Sequence, residues 1–315
     1  MLRAYAVWDD TQGNPIHAHG GYILKHGDDY YWYGEYKMGK TDMLPVVAPD
    51  GNTYNMHRLD FKGISCYHSR DLVNWRFCGL SLLPDSDSDS DLHPANVVER
   101  PRVLYNAKTN KFVMFLHIDN AGYSLARVGV AVSDTPDGCF IYRGATNPCG
   151  QESRDFTVFA DDDGKGYLYH SSEANKTLHI VSLSEDYTDF SSEYKRCFAD
   201  MSREAPVVFK ENGQYYMITS GCSGWAPNMA LWAEADRPDG DFELKGNPCQ
   251  GENSDITFHC QASCAVPVKG GHVLLLDRWN SSDLENSRYV LLAIDRVNGE
   301  PKIEWSDCFE SISKP

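Results

Sequence analysis

Apolar and polar residues alternate along this chain in short runs, and the runs come in pairs joined by tight polar turns. The first pair is GGYILKHGDDYYWYGEY (Gly20 to Tyr36) and the second is ERPRVLYNAKTNKFVMFLH (Glu99 to His117). Three more follow: SRDFTVFADDDGKGYLYHS (Ser153 to Ser171), REAPVVFKENGQYYMITSG (Arg203 to Gly221) and CQASCAVPVKGGHVLLLDRW (Cys260 to Trp279). Alternation with period two places successive side chains on opposite faces of a strand, and Asp163-Gly164 and Asn212-Gly213 are turn dipeptides that close hairpins. A second pair of strands follows most phrases, for example GISCYHSRDLVNWRFCG and RVGVAVSDTPDGCFIYRG. Four-stranded units recurring roughly every 50 to 60 residues are the signature of propeller blades. The pattern predicts an all-β, five-bladed β-propeller. The expectation is one closed domain over residues 1–315, with blades starting near 20, 99, 153, 203 and 260 and no accessory carbohydrate-binding domain. A β-sandwich with long loops is the structural alternative. A segment from Met38 to Lys62, rich in Gly, Pro, Asp and Asn, interrupts the first unit. It is expected to loop over one face and help wall a pocket.

In a propeller the first strand of every blade lines the central channel, so residues at the five strand starts meet at one mouth. Those residues are His19, Glu99, Asp155, Glu204 and Gln261. Carboxylates crowded together raise one another's proton affinity, which keeps one of them protonated near neutral pH. Cleavage of a glycosidic bond needs such an acid for the leaving oxygen and a second group to handle water. Each carboxylate also has an arginine beside it in sequence (Arg100, Arg154, Arg203). The bland reading is therefore a set of channel ion pairs between sequence neighbours.

Composition narrows the ligand. Twenty-nine basic against 45 acidic residues give a net charge of −16, which repels phosphate backbones and anionic lipid. Nucleic acid and membrane are poor partners, and a neutral carbohydrate meets no such objection. Aromatic residues reach 12%, supplying flat rings that pack on sugars. The run Asp85 to Asp91 (DSDSDSD) reads as a solvated loop. His259, Cys260 and Cys264 lack a second Cys/His pair at zinc spacing, Asp161 to Gly164 lacks the later Glu of a calcium loop, and no phosphate-binding glycine motif is present. No metal or cofactor is expected. The N-terminal MLRAYAVWDD has neither the basic nor the apolar region of a secretory leader. The expectation is a cytoplasmic protein with reduced, mostly buried thiols, or a secreted one if a leader has been removed.

At the strand starts the chain resembles the glycoside hydrolases of family 43, and more closely the exo-β-1,3-galactanase branch. The likeness rests on AHGG with YYWYGEY, ERPRVLYN with HIDNAGY, SRDFTVFADDDG with YHSSEAN, EAPVVFK with SGWAPN, and CQAS with LLDRW. The resemblance implies a five-bladed propeller hydrolysing with inversion. It implies Glu204 as general acid and Asp155 as the residue that tunes its pKa. Most of the family carries an Asp base in blade one, which AHGG lacks. The galactanase branch shares that departure, and there a Gln matching Gln261 is thought to position or activate the water. A neutral amide is a poor base, so Glu99, ionisable and on the same ring, stands as the alternative. By matching phrases, Glu35, Arg100, Tyr123, Asn175, Trp225 and Asn228 are implied as sugar contacts. The implied activity is release of galactose from the non-reducing end of β-1,3-galactan, the arabinogalactan backbone. The alternatives are a family-43 β-galactosidase or α-L-arabinofuranosidase acting on short oligosaccharides, or a propeller that binds sugar without cleaving it.

Overall fold

The computed structural model describes residues 1–47 and 53–310. The chain forms five antiparallel blades in a ring, as the repeat predicts. Blade one comprises His19–His26, Asp29–Glu35, Ile64–Ser69 and Arg76–Leu82. Blade two comprises Val97–Asn106, Lys111–Asp119, Arg127–Ser133 and Ile141–Thr146. Blade three runs through Phe156–Ala160, Gly166–Ser172, Thr177–Leu183 and Phe190–Cys197, and blade four through Arg203–Glu211, Gln214–Gly221, Leu231–Ala235 and Glu243–Leu244. Blade five holds Gln261–Val268, Gly271–Arg278, Arg288–Val297 and Glu300–Glu304, and Cys249–Gln250 adds to its edge in parallel. The innermost strands touch in the cyclic order one, two, three, four, five and back to one. Leu2–Arg3 pairs with Cys308–Phe309, joining the two ends of the described chain.

The core is five apolar clusters, one in each gap between neighbouring blades. Period-two alternation distributes each strand between two gaps. In blade one, Ile23 faces blade five while Leu24 faces blade two. Val103 and Leu104 face blades one and three, and Val207 and Val208 face blades five and three. This explains why the inner strands read as continuous apolar runs: both faces are buried. Fully buried Trp32 and Trp75 fill the gap between blades one and five. Removing a side chain of that size from such a gap typically costs about 3–5 kcal/mol.

The first-blade insertion is more ordered than its composition implied. Asp42–Val47 and Thr53–Arg58 pair as an antiparallel hairpin, while residues 48–52 lie outside the described residues. The hairpin is pinned at its base, where Arg58 donates to the carbonyls of Ala95 (2.7 Å) and Pro94 (2.9 Å). Asp85 to Asp89 are exposed as expected, but Asp91 is a tether, bonded to Arg127 (2.5 Å) and the Tyr142 hydroxyl (2.8 Å). All ten cysteines are unpaired, five of them buried and two, Cys139 and Cys222, exposed. Among the described residues no helix is long and apolar enough to cross a membrane.

Candidate active site

Where the inner strands begin, their ladders are irregular. The pairing register slips between His19 and Tyr22, Glu99 and Arg102, Glu204 and Val207, and Ala262 and Cys264. In three blades the residue after the strand-start residue is left-handed: Gly20 (φ 55°), Arg100 (φ 50°) and Ala205 (φ 47°). Such bulges re-aim side chains, and each left-handed non-glycine residue costs of order 1–3 kcal/mol. At Gly20 a Cβ would also overlap Glu35 Oε1, so only glycine fits.

The bulges open onto a cavity of about 280 Å3 at one mouth of the channel. That is near the low end of the usual ligand-pocket range of roughly 300–1,000 Å3. Nine residues singled out from sequence line it: Glu35, Glu99, Arg100, Tyr123, Asp155, Asn175, Glu204, Trp225 and Gln261. Lys37, Met56, Gly224 and Trp279 complete the wall, Met56 coming from the insertion hairpin.

Arg100 ties the site together. Its Nε meets Asp155 Oδ1 at 2.6 Å, its Nη2 donates to Gln261 Oε1 at 2.7 Å, and its backbone N–H donates to Glu35 Oε1 at 3.2 Å. The expected ion pairs between sequence neighbours are absent among the described residues. Arg100 reaches across to blade three instead of pairing with Glu99. Arg203 turns away to the Thr219 hydroxyl (3.0 Å) and carbonyl (2.6 Å), and Arg154 pairs with Glu152 (3.3 Å). Adjacent residues on a strand point to opposite faces, which separates Arg203 from Glu204, and the bulge at Arg100 turns it away from Glu99.

Glu204 is left without a counter-ion of its own. Burial and then the Asp155 carboxylate push its pKa from 4.5 to about 8, outweighing the opposing pull of Arg100. The carboxyl is therefore mostly protonated at neutral pH. Gln261 has a fixed orientation. Its Oε1 accepts from Arg100 (2.7 Å) and Trp279 Nε1 (3.1 Å), while its Nε2 donates to Ser220 Oγ (3.1 Å) and lies 3.5 Å from Glu204 Oε1. Arg and Trp are donors only, so turning the amide over would set donors against donors.

On the opposite wall, Tyr123 donates its hydroxyl to Glu99 Oε1 at 2.9 Å, and Lys37 meets buried Glu35 at 2.6 Å. Burial raises the Glu35 pKa despite Lys37, and the Glu35 and Glu99 charges raise that of Lys37 against its own burial. Asn175, in a left-handed stretch with Glu173 and Ala174, has a buried Oδ1 without a hydrogen-bond partner among the described residues. Trp225 and Trp279 meet edge to face at 5.5 Å.

Two residues named from sequence, one strand start and one implied sugar contact, lie elsewhere. His19 is beneath the pocket, buried and stacked on Tyr289 at 4.9 Å, because Gly20 and Gly21 carry the strand under Glu35. Burial lowers its pKa well below the usual value. Asn228 does not line the cavity. Its amide bonds both backbone groups of Gly221 (2.7 and 2.8 Å) and Ser223 Oγ (2.6 Å), clasping the loop that carries Trp225. Lys37, Met56 and Trp279 went unassigned from sequence because they follow strand ends or sit in the insertion. Asp277 is a further such residue: it pairs in register with Gln261, and burial pushes it up to about 7. Among the described residues no three His, Cys, Asp or Glu side chains gather as a metal site.

Comparison with known proteins agrees with this geometry. Residues 12–275 match the model of glycosyl hydrolases family 43. A family-43 β-1,3-galactosidase solved with galactodeoxynojirimycin is 36% identical, with a TM-score of 0.88 over 98% of this chain and 99% of that one. An exo-β-1,3-galactanase of Phanerochaete chrysosporium, solved with β-1,3-galactotriose, is 33% identical, with a TM-score of 0.85 over 98% of this chain and 67% of that one. The β-D-galactofuranosidase of Aspergillus niger is 27% identical over 246 residues, 71% of this chain and 68% of its own. Fold, site and relatives converge: the chain belongs to glycosyl hydrolase family 43 and is a glycoside hydrolase built as a five-bladed β-propeller.

Proposed function

We propose that the enzyme is an inverting exo-β-1,3-galactanase that removes terminal galactose from β-1,3-galactan. The observation that carries the catalytic part is the buried Glu204 carboxyl, held protonated near neutral pH beside a pocket sized for a small sugar. In this reading Glu204 gives its proton to the glycosidic oxygen as the bond to the anomeric carbon breaks. Asp155 keeps that proton in place until needed, and Arg100 holds Asp155 in position. Water attacks the opposite face of the sugar and must lose a proton. Both partners of Gln261 Oε1 are donor-only groups, which favours the amide as a fixed dipole that orients water rather than a base. Glu99 is then the ionisable group for that proton, with one oxygen held by Tyr123.

The galactan substrate is supported by whole-chain likeness to a β-1,3-galactosidase and a β-1,3-galactanase, at 36% and 33% identity. A small cavity walled in part by Met56, Trp225 and Trp279 suits release of one terminal sugar. The test is the product profile. Purified enzyme incubated with β-1,3-galactan is expected to yield galactose alone, with no oligosaccharide intermediates, and to leave aryl α-L-arabinofuranosides intact. Arabinose release, or binding without turnover, would overturn the reading in favour of an arabinofuranosidase or an inactive sugar-binding propeller.

A further inference from the structure

Beside the pocket, on the other side of the same blade-five strand end, lies a second and larger concavity of about 880 Å3. Arg278 lines it, and the next residue, Trp279, walls the pocket. His259 lines it too, two residues before Gln261. Consecutive Cα atoms are about 3.8 Å apart, so the two concavities adjoin at Arg278 and Trp279. A narrow recess between Trp225, Pro227, His259 and Trp279 shares residues with both.

The chemistry of this cleft is that of a sugar platform. The rings of Tyr5 and Trp305 lie 4.8 Å apart, tilted by 30°. The Arg278 guanidinium sits 3.7 Å from the Tyr5 ring centre and, among the described residues, has no hydrogen bond or ion pair with a protein acceptor. Gln250 and Asn253, both exposed, add amide donors and acceptors at the rim. Flat apolar faces edged by unpaired donors and amides match the mixed faces of a neutral polyhydroxylated ring. A polyanion is disfavoured by Glu252, Glu304 and Asp307 in the same wall and by the net charge of −16.

The wall is also conformationally unusual. Tyr5 (φ 63°), Asn253 (φ 59°), Phe258 (φ 56°) and His259 (φ 62°) are all left-handed without being glycine. They are locked by the Tyr5 hydroxyl on the Phe258 carbonyl (2.5 Å) and by the Phe258 N–H on the Asn253 carbonyl (2.8 Å). Strain of this kind concentrates at ligand clamps.

We propose that this cleft is a second carbohydrate-binding site that holds a stretch of galactan away from the sugar in the catalytic pocket. The proposal rests on galactan being the substrate. Two adjoining sites convert the second contact into an intramolecular one, favouring polymer over short substrates without changing the chemistry.

The test compares Arg278→Gln and Trp305→Leu with the wild type on polymeric β-1,3-galactan and on β-1,3-galactobiose. Leu keeps the apolar contact that the half-buried Trp305 makes with the core, and thermal melts check that both variants fold. The expected result is KM on polymer raised about tenfold, with kcat and all galactobiose kinetics unchanged. In a Glu204→Gln background, affinity electrophoresis through β-1,3-galactan should show retardation that either cleft substitution reduces. Equal effects on polymer and disaccharide, or none on either, would overturn the second site while leaving the galactanase intact. A wild type that neither cleaves nor binds galactan would instead overturn the substrate reading, and the cleft proposal with it.

Discussion

Replacing Glu204 by Gln keeps the shape of the side chain and removes its proton, so it separates what the group does for chemistry from what it does to stability. In the fold, burial and Asp155 move this carboxyl from 4.5 to about 8. At about 1.4 kcal/mol per pKa unit, the folded state bears a penalty on the order of 3–5 kcal/mol once the group must ionise. The sign follows from the raised value. Below about pH 4.5 both folded and unfolded states hold the proton, and the group contributes nothing to the pH dependence. Between 4.5 and about 8 the unfolded chain releases the proton while the folded chain keeps it, so stability falls as pH rises. Glu204→Gln abolishes that fall. Its melting temperature should match the wild type near pH 4.5 and exceed it by roughly 6–10 °C at pH 9, at about 2 °C per kcal/mol for a chain of this size. Galactose release from polymer should drop at least about a hundredfold, the usual worth of a positioned general acid. Wild-type activity should decline as pH rises through about 8. Calorimetry at three pH values and a galactose assay measure both halves. Wild-type-like turnover in the variant, or a melting-temperature gap independent of pH, would refute the reasoning.

Asp155→Asn removes the negative charge that helps hold the proton on Glu204 and leaves Arg100 uncompensated. The alkaline limb of the kcat/KM profile should move down by about one pH unit or more, and an unmoved limb would contradict the tuning role. Glu99→Gln and Gln261→Ala distinguish the two ways of handling water. If Glu99 takes the proton, azide should rescue Glu99→Gln as a glycosyl azide, while Gln261→Ala should lower kcat without rescue. The reverse pattern would make Gln261 the base. Gly20→Ala drives a methyl into Glu35 at a left-handed position (φ 55°), and is expected to lower stability by about 1–3 kcal/mol and to raise KM. Unchanged melting and kinetics would show that the bulge is not under the constraint described.

Much of this was legible in sequence because the repeat is both a structural and a functional ruler. Inner strands buried on both faces read as apolar runs, and the polar residues that interrupt their starts are the ones that reach the channel mouth. Glu99, Asp155, Glu204 and Gln261 were found that way, and the shared family phrases supplied Glu35, Tyr123, Asn175 and Trp225. The ruler failed where position along a strand no longer fixes direction. His19 holds the strand-start position in blade one, yet two following glycines let that strand dip beneath Glu35. Asn228 sits in a family phrase but spends its amide on Gly221 and Ser223. Lys37 and Met56 carry no repeat position, Trp279 closes the fifth phrase away from the strand start, and the hairpin holding Met56 is hidden by the Pro and Gly around its short alternation. Arg100 was named as a sugar contact and as a partner of Glu99. Its bond to Asp155 depends on a bulge that no periodicity announces.

The measurement closest to the centre of this account is the anomeric configuration of the first product. Proton NMR followed from the first minutes of β-1,3-galactan hydrolysis should show α-galactose appearing first, with the β-anomer growing in only as mutarotation proceeds. That outcome requires a single displacement by water on the face opposite the Glu204 proton. β-Galactose as the first product would mean a covalent glycosyl-enzyme intermediate and would contradict the mechanism, whichever residue proves to handle the water.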